Sequence, residues 1–172
     1  VGHGGWSIDL HAIRGFYATE PINKHIMLDG IFQIPYRCGY SKNISNLFMA
    51  GRDISATKLG MCSTRIIGCC AIGGQAVGAA ASLCTKYKCM PRGISEHISE
   101  LQQLILKDDG FIPGVKNTDS SDLARKAVFS ASSFISECEP QKVIDGISRR
   151  IGSNMHGWVS DGISEKGETL IM

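Results

Sequence analysis

The run from residue 63 to residue 86 constrains this chain more than any other stretch. It is long, carries charge only near its two ends, and is built largely from glycine, alanine, serine and cysteine. The pattern predicts one long helix over 63–86. Gly68, Gly73, Gly74 and Gly78 lie inside it, and each costs a helix interior about 1 kcal/mol against alanine. Such a cost is tolerated where another backbone or a ligand has to come close. Just upstream, Leu47-Phe48-Met49-Ala50 is a continuous apolar run ending in Gly51-Arg52-Asp53. It predicts a strand buried on both faces and followed by a sharp exit.

This strand–loop–helix unit suits a flat, polyhydroxylated, anionic cofactor. Gly51 lets a ligand touch the backbone, and the Asp53 carboxylate can accept hydrogen bonds from sugar-alcohol hydroxyls. The first amides of the expected helix, near Ser63, Thr64 and Arg65, would carry partial positive charge that favours an anion.

Elsewhere the patterns are shorter. Gly4-Gly5 predicts a turn, and Trp6 to His11 alternates as a strand with Trp6, Ile8 and Leu10 on one side. Residues 14–33 carry no clear signal. Ile34-Pro35-Tyr36-Arg37 is expected to be extended, since proline fixes its own φ and biases its predecessor away from helix. Pro91 and Gly93 should end the long helix, and an amphipathic helix is expected over 94–107, with Ile94, Ile98, Leu101 and Ile105 on one stripe. Residues 108–122 form a polar stretch expected to be a linker. Strands are expected at 128–133, 143–147, 158–160 and 169–172.

With 43% hydrophobic and 20% charged residues the chain can bury a core. Its net charge of +2 is spread along the sequence, which disfavours nucleic acid as a partner. The seven cysteines, at 38, 62, 69, 70, 84, 89 and 138, include no CxxC pair. They fit reduced thiols in a reducing compartment, with the cytoplasm favoured, rather than a zinc ribbon or iron–sulfur run. The histidines at 3, 11, 25, 97 and 156 lack metal-ligand spacing. GHGGW has the form of an esterase oxyanion loop, but no GxSxG follows it. Ile66 to Cys84 has nearly membrane-spanning length and a GxxxG pair at Gly74 and Gly78. Its few large apolar residues and the central Gln75 argue against insertion. The chain opens at Val1 without a signal peptide and ends just past Leu170-Ile171, so a fragment of a longer protein is expected.

The stretch NLFMAGRDISATKLGMCSTRIIGCCAIGGQAVGAAASLC resembles the second flavin-binding segment of FAD-dependent oxidoreductases. GGWSIDLH upstream and IPYR shortly before GRDIS resemble the same family, and the likeness covers roughly residues 1–115. It implies an α/β fold, a partial FAD-binding (glutathione-reductase-like, Rossmann-like) domain. It further implies that Asp53 lies along the ribityl chain, with Gly51 and Arg52 on the same edge and Ser63-Thr64-Arg65 aimed at the pyrimidine side of the ring. The reaction implied is hydride transfer between a small substrate and FAD. Some relatives use an iron–sulfur cluster, for which the cysteines here offer no ligand pattern.

The family usually has glycine where Cys62 stands, and a side chain there is expected to crowd the cofactor. The GxGxxG fingerprint that holds the FAD diphosphate is absent. The expected partner is therefore a missing N-terminal nucleotide-binding half, and the isolated chain is expected to be inactive. Residues 123–172, through ASS at 131–133, VIDG at 143–146 and WVSD at 158–161, resemble the opening of a discoidin-like galactose-binding β-sandwich, left incomplete. The domains expected are thus 1–107, a linker at 108–122, and 123–172. The alternative is a non-catalytic remnant or a carbohydrate-binding accessory module.

For catalysis the candidates are His11, Asp9 and Arg37. Asp9 and His11 share one strand face about 7 Å apart, and a histidine able to move a proton is a natural companion to hydride transfer. The opposing reading is a polar strand face satisfied by backbone. Arg37 is open between an anion clamp and a surface residue. Arg65 at a helix start is unfavourable unless it serves an anion or a carboxylate.

Overall fold

Glycines open the fold because rings and methyls press on them. β1 (Gly2–Gly4) pairs antiparallel with β4 (Phe32–Ile34), Gly4 opposite Phe32. A Cβ at Gly4 would stand 2.4 Å from the Phe32 ring, so Gly4 is a strand residue rather than part of the expected turn. β2 (Ile8–His11) pairs with β3 (Asn23–Ile26), placing Asp9 opposite His25. The computed structural model describes residues 1–147 and 149–172. They divide into two units, Val1–Pro113 and Gly114–Met172.

The strand expected over Trp6–His11 forms only in its last four residues. Trp6 is exposed and Ser7 is buried. Ser7 is held by His25, and the Trp6 carbonyl accepts from the Ser63 hydroxyl at 2.6 Å. These contacts take the segment out of the ladder. Pro35 is extended as expected, with φ −64 and ψ 145, but Tyr36–Gly39 curls into a 3-10 turn. Tyr36 is buried there and donates to the Pro91 carbonyl at 2.6 Å.

Leu47–Ala50 is not a strand buried on both faces. It makes one bridge, Tyr40 to Phe48, flanked by Ser41 N–H to Leu47 O and Met49 N–H to Gly39 O, each 2.9 Å. Leu47 is 40% exposed. The described sheets are all two-stranded, so no neighbouring strands cover this hairpin arm.

The helix expected over 63–86 is two helices. α1 (Lys58–Thr64) starts at Thr57, whose side chain accepts from the Gly60 amide, and α2 (Ile67–Tyr87) starts after Ile66, which is extended at ψ 143. Ser63, Thr64 and Arg65 therefore close a helix instead of opening one. A side chain branched at Cβ favours extended backbone, and Ile66 takes the break.

α2 buries Cys69, Ala76, Ala80 and Leu83 along one stripe, against β1, the Gly51–Asp53 turn and α3 (Ile98–Lys107). It is also long and apolar enough to cross a membrane by length and composition, with mean hydropathy 1.5. Pro91 ends the connection from α2 and begins a 3-10 turn over Pro91–His97 that leads into α3. Ile94, Leu101, Ile105, Phe111 and Ile112 complete the core of this unit.

The stretch 108–122 is shared between the units. His3 Nδ1 meets the Phe111 carbonyl at 2.8 Å, whereas Asn117, Asp119 and Asp122 knit turns with one another. In Gly114–Met172, β5 (Ser130–Ala131) pairs antiparallel with β6 (Leu170–Ile171). Instead of a strand at 143–147, Pro140 starts a 3-10 turn over Pro140–Ile144, and Gly146 exits it at φ 85. Residues 158–160 form no strand, although Val159 exchanges backbone bonds with Ile135 and Cys138. Glu168 accepts from the hydroxyls of Ser132 and Ser133, which bring its carboxyl down to about 2.

Candidate functional site

The polar side chains singled out from the sequence fall into two groups in Val1–Pro113. The first surrounds Asp9. His11 Nε2 lies 2.8 Å from Asp9 Oδ2, and Arg65 Nη2 reaches the Asp9 carbonyl at 3.1 Å and Oδ2 at 3.4 Å. Cross-strand, His25 Nε2 stands 3.5 Å from Asp9 Oδ1, and its Nδ1 lies 2.9 Å from Ser7 Oγ. The His11 hydrogen bond, joined by the charges of His25 and Arg65, holds the Asp9 carboxyl below its ordinary range. Oδ1 is nevertheless buried without a hydrogen-bond partner among the described residues, so the site is a carboxylate with one oxygen still to be served. A buried polar atom in that state is costly.

The second group lines an open cleft of about 880 Å³, walled by Arg37, Tyr40, Lys42, Asp53, Ser55 and Arg92 among others. Two turns frame it, Tyr36–Gly39 and Gly51–Asp53, tied by Ser55 N–H to Cys38 O at 2.9 Å. Gly51 sits at φ 80 with nothing within 4 Å of a built Cβ, a conformation that selects glycine. Three cationic side chains face one carboxylate here. Arg37, Arg52 and Asp53 have no ion partner among the described residues. Arg92 lies over the Tyr40 ring, 5.6 Å from its centroid.

The structure brings Arg37 and Asp53 together, and separately brings Asp9, His11 and Arg65 together. Arg52 is exposed beside the cleft. Gly51 borders a void of only about 20 Å³ against Cys69 and Gly73 of α2, which is core packing rather than a ligand site. Ser63 lines a third hollow, of about 370 Å³, with Ile8, Phe32 and Leu59. Its hydroxyl is already bound to Trp6, and that of Thr64 to the Gly60 carbonyl at 3.0 Å. The helix N-terminus assigned to Ser63–Arg65 lies instead at Ile67, Gly68 and Cys69, since Cys70 N–H to Ile66 O is the first bond of α2. Gly68 is exposed, with open space where a Cβ would be. Cys62 is half-buried within α1 and lines none of these three hollows.

A family model described as FAD dependent oxidoreductase matches residues 1–105. The chain belongs to this family. Neither the curated proteins nor the solved structures gave a match. Membership in the FAD dependent oxidoreductases makes the chain part of a flavin oxidoreductase, and the mixture of helices and short strands in Val1–Pro113 is in keeping with an α/β FAD-binding segment.

Sequence reasoning missed Ser7, His25, Lys42 and Arg92. A usable signal existed for His25: Asn23 and His25 repeat the two-residue spacing of Asp9 and His11, as facing strands of a hairpin do. For Lys42 and Arg92, fifty residues apart, the sequence carries no such mark.

Proposed function

We propose that this member of the family supplies one wall of an FAD site and works in hydride transfer between a carbon of a small substrate and the flavin. The observation that carries the reading is the cleft, framed by the Gly51–Asp53 turn, in which Arg37 and Asp53 stand without ion partners among the described residues. A carboxylate without a cation partner can serve sugar-alcohol hydroxyls. Unpaired guanidinium groups can serve phosphate or carboxylate oxygens. These groups fit FAD in charge and in donor set.

When bound, FAD supplies the two-electron carrier. Asp53 would take the ribityl hydroxyls, with Gly51 and Arg52 along the same edge. Arg37, Lys42 and Arg92 would hold anionic oxygens of cofactor or substrate. The first turn of α2, exposed at Ile67 and Gly68, would offer amides where negative charge gathers. Ser63 and Arg65 would act from behind, fastening α1 to Trp6 and Asp9, while the Thr64 hydroxyl stays on the Gly60 carbonyl within α1. At the other cluster, His11 keeps Nε2 on Asp9 and leaves Nδ1 to take or give a proton. Contacts to the diphosphate would come from a nucleotide-binding segment outside these 172 residues.

Equilibrium titration of the chain with FAD, followed by quenching of flavin fluorescence, tests the assignment. Arg37→Ala and Asp53→Asn should each weaken binding about tenfold, the size of a lost charge-assisted hydrogen bond of about 1.5 kcal/mol. Affinity unchanged in both variants would contradict it.

A further inference from the structure

The C-terminal end of α2 holds two thiols that play no part in the flavin reading. The chain leaves α2 through Lys88, left-handed at φ 51. Cys89 N–H donates to the Cys84 carbonyl at 3.1 Å, and Lys88 N–H to the Thr85 carbonyl at 3.4 Å. This pair of bonds defines a Schellman cap, in which the side chains at the two ends of the longer bond meet, usually as an apolar contact. Here both ends are cysteines, both free and half-buried, so the cap turns their side chains towards each other.

The other thiols are placed differently. Those of Cys69 and Cys70 point at the carbonyls of Ser63 and Thr64, at 3.8 and 3.7 Å, and Cys138 is only 1% exposed. A Cβ at residue 93 would stand 3.3 Å from Cys89 Sγ, so Gly93 leaves that sulfur approachable. The end of α2 around the pair is otherwise well fastened. Tyr87 stacks on His97, with ring centroids 3.6 Å apart, and Lys86 meets Glu100 at 2.6 Å.

We propose that Cys84 and Cys89 form a dithiol–disulfide site that reacts with low-molecular-weight disulfides of the glutathione class. Cys89 loses its proton and attacks one sulfur of the small disulfide. That S–S bond breaks, and the first small thiol leaves with a proton. Cys84 then loses its proton and attacks Cys89 Sγ, forming the Cys84–Cys89 bond and displacing the second small thiol. Two electrons pass from the two protein sulfurs to the small disulfide, and two protons end on the two small thiols. Burial pushes the Cys84 thiol up, which lowers its thiolate fraction and leaves the first attack to Cys89.

The test treats the folded 172-residue protein with glutathione disulfide at neutral pH, traps remaining thiols by alkylation after unfolding, and maps the products by mass spectrometry. Cys84 and Cys89 should appear linked to each other, ahead of any other pair among the seven cysteines. Cys84→Ser, and Cys84→Ala should the first fail to fold, should stop at a stable mixed disulfide on Cys89. The same treatment in denaturing urea should lose the preference. The proposal is overturned if both thiols remain alkylatable in the folded protein, if a mixed disulfide persists in the parent as it does in the variant, or if the preference survives in urea.

Discussion

Asp9 gathers more of the chain's polar side chains than any other residue in Val1–Pro113. His11 supports it from its own strand, His25 from the facing strand, and Arg65 from the end of α1. Because its carboxyl is held below the ordinary 3.8, folding gains from its ionised form at every pH above that value. That gain is lost as pH falls through the depressed folded value. Asp9→Asn should therefore melt at a lower temperature than the parent at pH 5, and the gap should be smaller at about pH 3, below the ordinary value. Thermal unfolding of the two proteins at those pH values checks this; a gap of equal size at both would contradict it. The sequence already placed Asp9 and His11 on one strand face. It did not place Arg65 with them, because that contact depends on the break at Ile66, which sets Arg65 at the end of one helix rather than the start of another.

At the scale of elements, the glycines of α2 carry the most information. The sequence marks Gly68, Gly73, Gly74 and Gly78 as points where something must come close, yet within the described residues nothing lies within 4 Å of a Cβ built at any of them. Gly74→Ala should accordingly stabilise this chain by about 0.5–1 kcal/mol, a rise in melting temperature of about 1–4 °C for a chain of this size. A fall on scanning calorimetry would show that Gly74 is enclosed. The existence of α2 was legible, since its composition leaves no other regular structure. Its start was not, because the periodic signal runs on through Arg65 and Ile66 and only the extended backbone at Ile66 divides it. The Leu47–Ala50 strand failed for a related reason: an apolar run states a preference for burial, and the covering strands are not among those described.

For the molecule as a whole, a family model covers the first 105 residues and the contacts divide the chain after Pro113. Resemblance to FAD-dependent oxidoreductases, rather than composition, pointed to the family that the family model shows. The cleft was less legible, since its walls come from turns at 36–39, 51–53 and 91–97 that no short window of sequence joins. The central claim, that the Arg37–Asp53 cleft receives FAD, is tested most directly by following backbone amides by NMR as FAD is added to the labelled chain. The account predicts shifts at Arg37, Gly51, Asp53 and the Ile67–Cys69 turn, with residues 123–172 unmoved. Shifts confined to the hollow beside Ser63, or spread over residues 123–172, would contradict it.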